Sequence, residues 1–178
     1  MARRFFYVCA GLLCFTMHAS LLEAQPPTNP VVAAAYDTSH RWMFVYTTDG
    51  NVYADVAGDG SAWLPRGDVG DVQDVVAASF DPVNGWMYAY TASGSVYADT
   101  VGDGSGWAHR GEVGSISPVV AAAYDHARRW MFVYTANGDL YSDSVGDGSA
   151  WIWRANVFGG ATPTNRDTWG GVKERFRR

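Results

Sequence analysis

The chain has 178 residues, with 13 Lys and Arg against 18 Asp and Glu, for a formal charge of −5. No basic stripe appears before the last few residues, which argues against a nucleic-acid partner, because backbone phosphates attract clustered Lys and Arg. Both cysteines, Cys9 and Cys14, fall within the first 24 residues, so beyond that point neither a disulfide nor a thiol nucleophile is available.

The chain opens with Arg3 and Arg4, then the apolar run "FFYVCAGLLCF" from Phe5 to Phe15, then a mixed segment ending in "LLEA" at Ala24. This is the layout of a secretory signal peptide over residues 1–24, with small Ala24 before the cleavage point. The alternative is an uncleaved anchor. The run is short of the roughly 20 apolar residues that span a bilayer, and Thr16, His18 and Ser20 interrupt it. The expectation is a secreted or periplasmic protein with no stable membrane insertion after cleavage. Residues 25–30, "QPPTNP", read as a Pro-rich linker.

Three similar units follow, starting at Val31, Val75 and Val119, 44 residues apart and without insertion. A period in this range marks a repeat architecture, here residues 31–74, 75–118 and 119–158. Each unit holds four strand signals. "VVAAAYD" is a short apolar run, and "RWMFVYT" is rich in aromatic and β-branched residues. Asp49-Gly50, Ser93-Gly94 and Asn137-Gly138 are hairpin signals before "NVYADV" and its counterparts. The triplet Gly58-Asp59-Gly60 turns into "SAWLPRGDV", where Pro65 suits an edge strand. The fold class is therefore all-β, with three four-stranded antiparallel repeats.

Two architectures have four strands per repeat. In a β-propeller each repeat is a separate blade, whereas in a β-trefoil three repeats share one barrel. In "RWMFVYT" both faces are apolar, with Trp42, Phe44 and Tyr46 on one and Met43 and Val45 on the other. A strand covered on both faces suits a blade between two neighbours. Small residues such as Ala33, Ala34 and Ala35 suit an innermost strand. Propeller-type blades are expected, with the trefoil as the alternative. Propellers typically have four to eight blades, so three leave apolar faces open. The expected solution is a homo-oligomer, most simply a dimer completing a six-bladed ring.

The order of features in "MFVYTTDGNVYADVAGDGSAWLPRGDVG", ending at Gly70, resembles the repeats of bacterial propeller lectins of the tectonin-like and Photorhabdus-lectin-like families. Those families usually carry more blades per chain. The resemblance implies a non-enzymatic, carbohydrate-binding module.

The residues themselves offer three chemistries. Ser61, Ser105 and Ser149 repeat beside Asp59, Asp103 and Asp147, but no His repeats with them, so no nucleophile–base pair is expected and no catalytic residue is assigned. Two carboxylates per unit, Asp55 with Asp59 and their counterparts, fall short of the six to eight oxygens calcium takes, so no metal or other cofactor is expected. Sugar binding needs an aromatic face with a few fixed polar groups. Trp63, Trp107 and Trp151 recur three residues before Arg66, Arg110 and Arg154. Tyr53, Tyr97 and Tyr141 recur two residues before Asp55, Asp99 and Asp143. These twelve are the candidate glycan contacts, and repetition would add affinity through multivalency. The bland alternatives are that the Trp is core and that the Arg and Asp tie units together. Alternatively the whole is a structural or protein-interaction module of the envelope or extracellular space. The tail, 159–178, combines a Gly/Thr/Pro loop with "KERFRR" and has no assigned role.

Overall fold

The computed structural model describes residues 26–158 except 71, 73 and 116. The expected signal segment and the tail from 159 lie outside the described residues.

The described residues form twelve strands, one after another. The first unit holds β1 (Val31–Asp37), β2 (Trp42–Thr47), β3 (Asn51–Asp55) and β4 (Trp63–Asp68). The middle unit holds β5 (Val75–Asp81), β6 (Trp86–Thr91), β7 (Ser95–Asp99) and β8 (Trp107–Glu112). The last holds β9 (Val119–Asp125), β10 (Trp130–Thr135), β11 (Asp139–Asp143) and β12 (Trp151–Asn156). Each unit is its own antiparallel meander, with strands side by side in chain order. No strand is shared between units, which excludes the trefoil barrel. The first strands stand next to one another, β1 by β5 and β5 by β9, so the small-residue runs line the inside of the arc as expected.

The same local chemistry shapes every unit. Thr47, Thr91 and Thr135 are buried at the second-strand ends. Their hydroxyls gather the following turn, as when Thr135 accepts from the Asp139 amide at 3.0 Å. At the opposite end Asp37, Asp81 and Asp125 accept backbone amides two residues on, from Ser39, Val83 and Ala127. The chain then passes through a left-handed residue, Arg41, Gly85 or Arg129, before the second strand. The Gly58 backbone, at φ 74°, lies against the Arg41 carbonyl so closely that a Cβ there would sit 2.4 Å from the oxygen. Gly102 and Gly146 repeat this approach against Gly85 and Arg129.

Two bulges recur in each unit. One offsets the start of the first strand, between Val31 and Ala33 and at the equivalent places. The other lies in the fourth strand. Val52 faces Gly67 and Tyr53 faces Pro65, which leaves Arg66 unpaired between them, and Arg110 and Arg154 take the same place. A bulge residue is released from the ladder and its side chain re-aimed.

The core lies between sheets. Each sheet has a leading face, toward the next unit, and a trailing face, toward the previous one. Phe44, Tyr46, Val52 and Ala54 on the leading face of the first sheet meet Phe80, Met87 and Ala89 on the trailing face of the middle sheet. Tyr88, Tyr90, Val96 and Ala98 on the middle sheet's leading face meet Met131 and Val133 of the last. The middle sheet is thus covered on both broad sides, and β6 is buried from Met87 to Thr91.

Candidate functional site

One end of every sheet carries the Gly-Asp-Gly loop, the fourth-strand Trp and the first-to-second-strand turn. The loop is held by Asp55, Asp99 and Asp143, all fully buried. Asp55 accepts from the amides of Gly60, Ala62 and Ala57. Asp99 accepts from Val101 and Gly104, and Asp143 from Val145, Gly146 and Gly148. Burial pushes the Asp55 carboxyl upward, but the loop amides together outweigh it and hold it below the usual carboxylate range. These three carboxylates are consumed by the fold and have no oxygen to offer a ligand.

The fourth-strand tryptophans also have internal work. Each indole N–H donates to the first carbonyl of its own Gly-Ser pair, Trp63 to Gly60 at 3.0 Å, and Trp107 to Gly104 and Trp151 to Gly148 at 2.9 Å. Trp107 meets Tyr46 of the preceding sheet edge-on, with centroids 5.7 Å apart, and Trp151 meets Tyr90 in the same way at 6.2 Å. Trp63 has no preceding sheet among the described residues and remains half-buried on the open trailing face. Tyr97 and Tyr141 flank the two inter-sheet cores on these same trailing faces, and Tyr53 is their half-buried counterpart in the first unit.

Arg66, Arg110 and Arg154 do not sit beside these tryptophans. They cross to the leading face and stack over Trp42, Trp86 and Trp130, at 4.7, 5.0 and 5.1 Å from guanidinium carbon to ring centroid. Arg110 also reaches across to the next unit, its Nε donating to the Asp147 carbonyl at 3.3 Å. The structure therefore groups each Tyr, Trp and Asp on one face and each Arg on the other. Trp42, Trp86 and Trp130 are the ring partners the sequence reading left out.

The solvent side of this rim is formed by the loop tips. Asp59, Asp103 and Asp147 each use Oδ1 to accept the hydroxyl and amide of the Ser two residues on, at 2.5 and 3.0 Å. Their Oδ2 atoms have no protein partner among the described residues. The same acceptor and hydroxyl pair is thus presented three times, above a half-buried indole. Among the described residues no group of three or more His, Cys, Asp or Glu gathers as metal ligands would.

No family model matches the chain, and no curated protein matches it. Solved structures do. A nidogen/laminin complex aligns at TM-score 0.61 and 11% identity, over 74% of this chain and 50% of that one. YCF48 bound to a D1 peptide aligns at TM-score 0.58 and 16% identity, over 73% of this chain and 42% of that one. The GH74 enzyme of Niastella koreensis aligns at TM-score 0.56 and 14% identity, over 74% of this chain and 18% of that one. These neighbours are β-propeller proteins. The three sheets are β-propeller blades. This chain spans half the length, or less, of each of these three chains. At such identities the likeness concerns the fold alone. The neighbours do not single out the lectin-type repeats that the sequence resembles.

Within a blade, then, the division of labour is plain. The buried Asp shapes the loop, the Trp seals the junction with the previous blade, and the Arg–Trp stack faces the next. The Oδ2 atoms of Asp59, Asp103 and Asp147 at the loop tips have no structural partner among the described residues.

Proposed function

We propose that this protein is an exported, non-enzymatic, multivalent binding module and that its ligand is a glycan bound along the Gly-Asp-Gly rim. The observation that carries this reading is the threefold presentation of one solvent-facing unit, an Asp carboxylate with a free oxygen beside a Ser hydroxyl. Carbohydrates offer rows of hydroxyl donors and acceptors, so carboxylate and hydroxyl partners set beside an aromatic edge suit them. Weak equivalent sites on one rim gain strength together when the ligand is itself repeated. The resemblance to propeller-lectin repeats supports the same class, and the signal-like segment over residues 1–24 supports export.

The test is a glycan array followed by calorimetry on the best ligand, with free sugar as competitor. Asp59→Asn, Asp103→Asn and Asp147→Asn, made together, remove three surface charges and leave the buried carboxylates in place. Binding that falls at least tenfold while the thermal transition is unchanged supports the proposal. Binding that survives the triple change, or an array with no sugar-competed signal, overturns it.

A further inference from the structure

We infer that the trailing face of the first blade and the leading face of the last are the two halves of one missing junction, filled by a second copy of this chain. Two chains joined twice in this way form a closed ring of six blades related by a two-fold axis. The inference does not depend on which ligand the rim takes.

The argument is continuity with two junctions already present. Blade one meets blade two, and blade two meets blade three, through the same positions. Valine at the start of the first strand is sealed in both, 2% exposed at Val75 and 1% at Val119, yet Val31 is 51% exposed. The valine after the fourth strand is 0% exposed at Val69 and 4% at Val113, yet 55% at Val157. Tyr46 and Tyr90 are fully buried, while their counterpart Tyr134 is exposed. The two deficits are complementary, since one lies on a trailing face and the other on a leading face.

One specific contact repeats at both junctions, and two others occur at the second alone, since the first has Phe80 in place of Tyr124 and its Arg66 Nε has no partner among the described residues. Tyr46 packs edge-on to Trp107, and Tyr90 to Trp151. The third pair is Tyr134 with Trp63 of the second copy, and both rings stand at open faces. Tyr124, on the trailing face of blade three, faces the Asp81 carboxylate of blade two. The matching pair is Tyr36, an exposed aromatic in β1, with Asp125 of the second copy. Arg110 reaches the Asp147 carbonyl in the next loop. Arg154, now donating to Ser142 at 2.6 Å, would meet the Asp59 loop of the second copy in the same way.

One position differs. Gly67 and Gly111 lie against the following loop, and blade three has Ala155 there. A Cβ at Gly67 would stand 3.5 Å from the Gly104 carbonyl, an ordinary contact, whereas at Gly111 it would stand 2.9 Å from the Gly148 carbonyl. Gly67 stands at φ 143°, a backbone that Ala155 does not share, so the third junction differs from the other two at this position. Closed point-group symmetry is the usual outcome for self-complementary chains, and a heterologous contact ends only when its ring closes.

Sedimentation velocity on the purified chain tests this directly. The expected result is a single species of twice the chain mass at micromolar concentration. Tyr134→Asp and Tyr36→Asp, each placing a charge at an already exposed position, should each raise the dissociation constant at least a hundredfold, with an unchanged circular dichroism spectrum. Val101→Asp, at an exposed position on neither open face, should leave the dimer intact. A monomer overturns the inference and means that another occupant, such as residues 159–178, covers these faces. A ladder of larger species also overturns it, because the junction then repeats without closing. Loss of the dimer with Tyr134→Asp but not Tyr36→Asp overturns it as well, since leading faces would then pair with each other.

Discussion

Tyr46 and Tyr90 occupy equivalent places at two equivalent junctions, but their hydroxyls fare differently. Tyr90 Oη lies 3.0 Å from the Ser79 hydroxyl. Tyr46 Oη is buried without a partner among the described residues, because the residue in place of Ser79 is Ala35. A buried hydroxyl left unpaired costs about 1–3 kcal/mol, and a net hydrogen bond returns about 1 kcal/mol. Ala35→Ser should therefore stabilise the protein by about 1–2 kcal/mol, which for a domain of this size raises the melting temperature by about 4 °C per kcal/mol. Tyr46→Phe removes the unpaired group and should also stabilise, by about 1 kcal/mol. Tyr90→Phe should do the reverse, because it strands the Ser79 hydroxyl. The sign for Tyr46→Phe should invert once Ser stands at 35, so a double-mutant cycle isolates the new bond. Urea midpoints at one fixed protein concentration give all four values, since any self-association adds a concentration term. The reasoning fails if Ala35→Ser destabilises, or if Tyr46→Phe costs as much as Tyr90→Phe.

Three further outcomes follow from the same structure. Gly58→Ala should destabilise by more than about 2 kcal/mol, because strain at positive φ adds to a Cβ pressed on the Arg41 carbonyl. Gly60→Ala, at φ 85° with open space around it, should cost only about 1–2 kcal/mol, and thermal melts of the two variants compare them directly. Asp55 titrates below its unfolded value, so its stabilisation is complete above about pH 3.9 and disappears as pH falls through the lower, folded value. Asp55→Asn should flatten the acid side of a stability–pH curve while lowering its neutral plateau. Burial raises the phenols of Tyr46 and Tyr90 well above the usual range. Their contribution is intact below about pH 10 and declines above it as the unfolded phenols ionise. Absorbance titration of tyrosinate should therefore show a late, cooperative fraction that coincides with unfolding.

Much of the fold was legible because each strand carries its own signal. The Asp-Gly, Ser-Gly and Asn-Gly turns, the two-sided apolar second strand and the alanine run each point to a blade, and the observed strand bounds follow them. The candidate site was less legible, for geometrical reasons. Residues three apart on a strand face opposite sides, so Trp63 and Arg66 were poorly matched from the outset. The bulge that leaves Arg66 unpaired beside Trp42 is invisible in residue types alone. Asp55 and Asp59 look alike in sequence. One is buried among loop amides and the other stands in water, and only the folded path of the loop separates them. Trp42, Trp86 and Trp130 could have been found as the aromatic partners, since the arginine and the second-strand Trp repeat together in every unit.

Each blade is written in one unbroken stretch of chain, with no strand lent to a neighbour. A gain or loss of one repeat in the gene would add or remove a whole slice and leave the slices beside it touching through the faces they already use. Length in such a lineage changes in steps of one blade, and relatives should differ in blade number before they differ in blade shape.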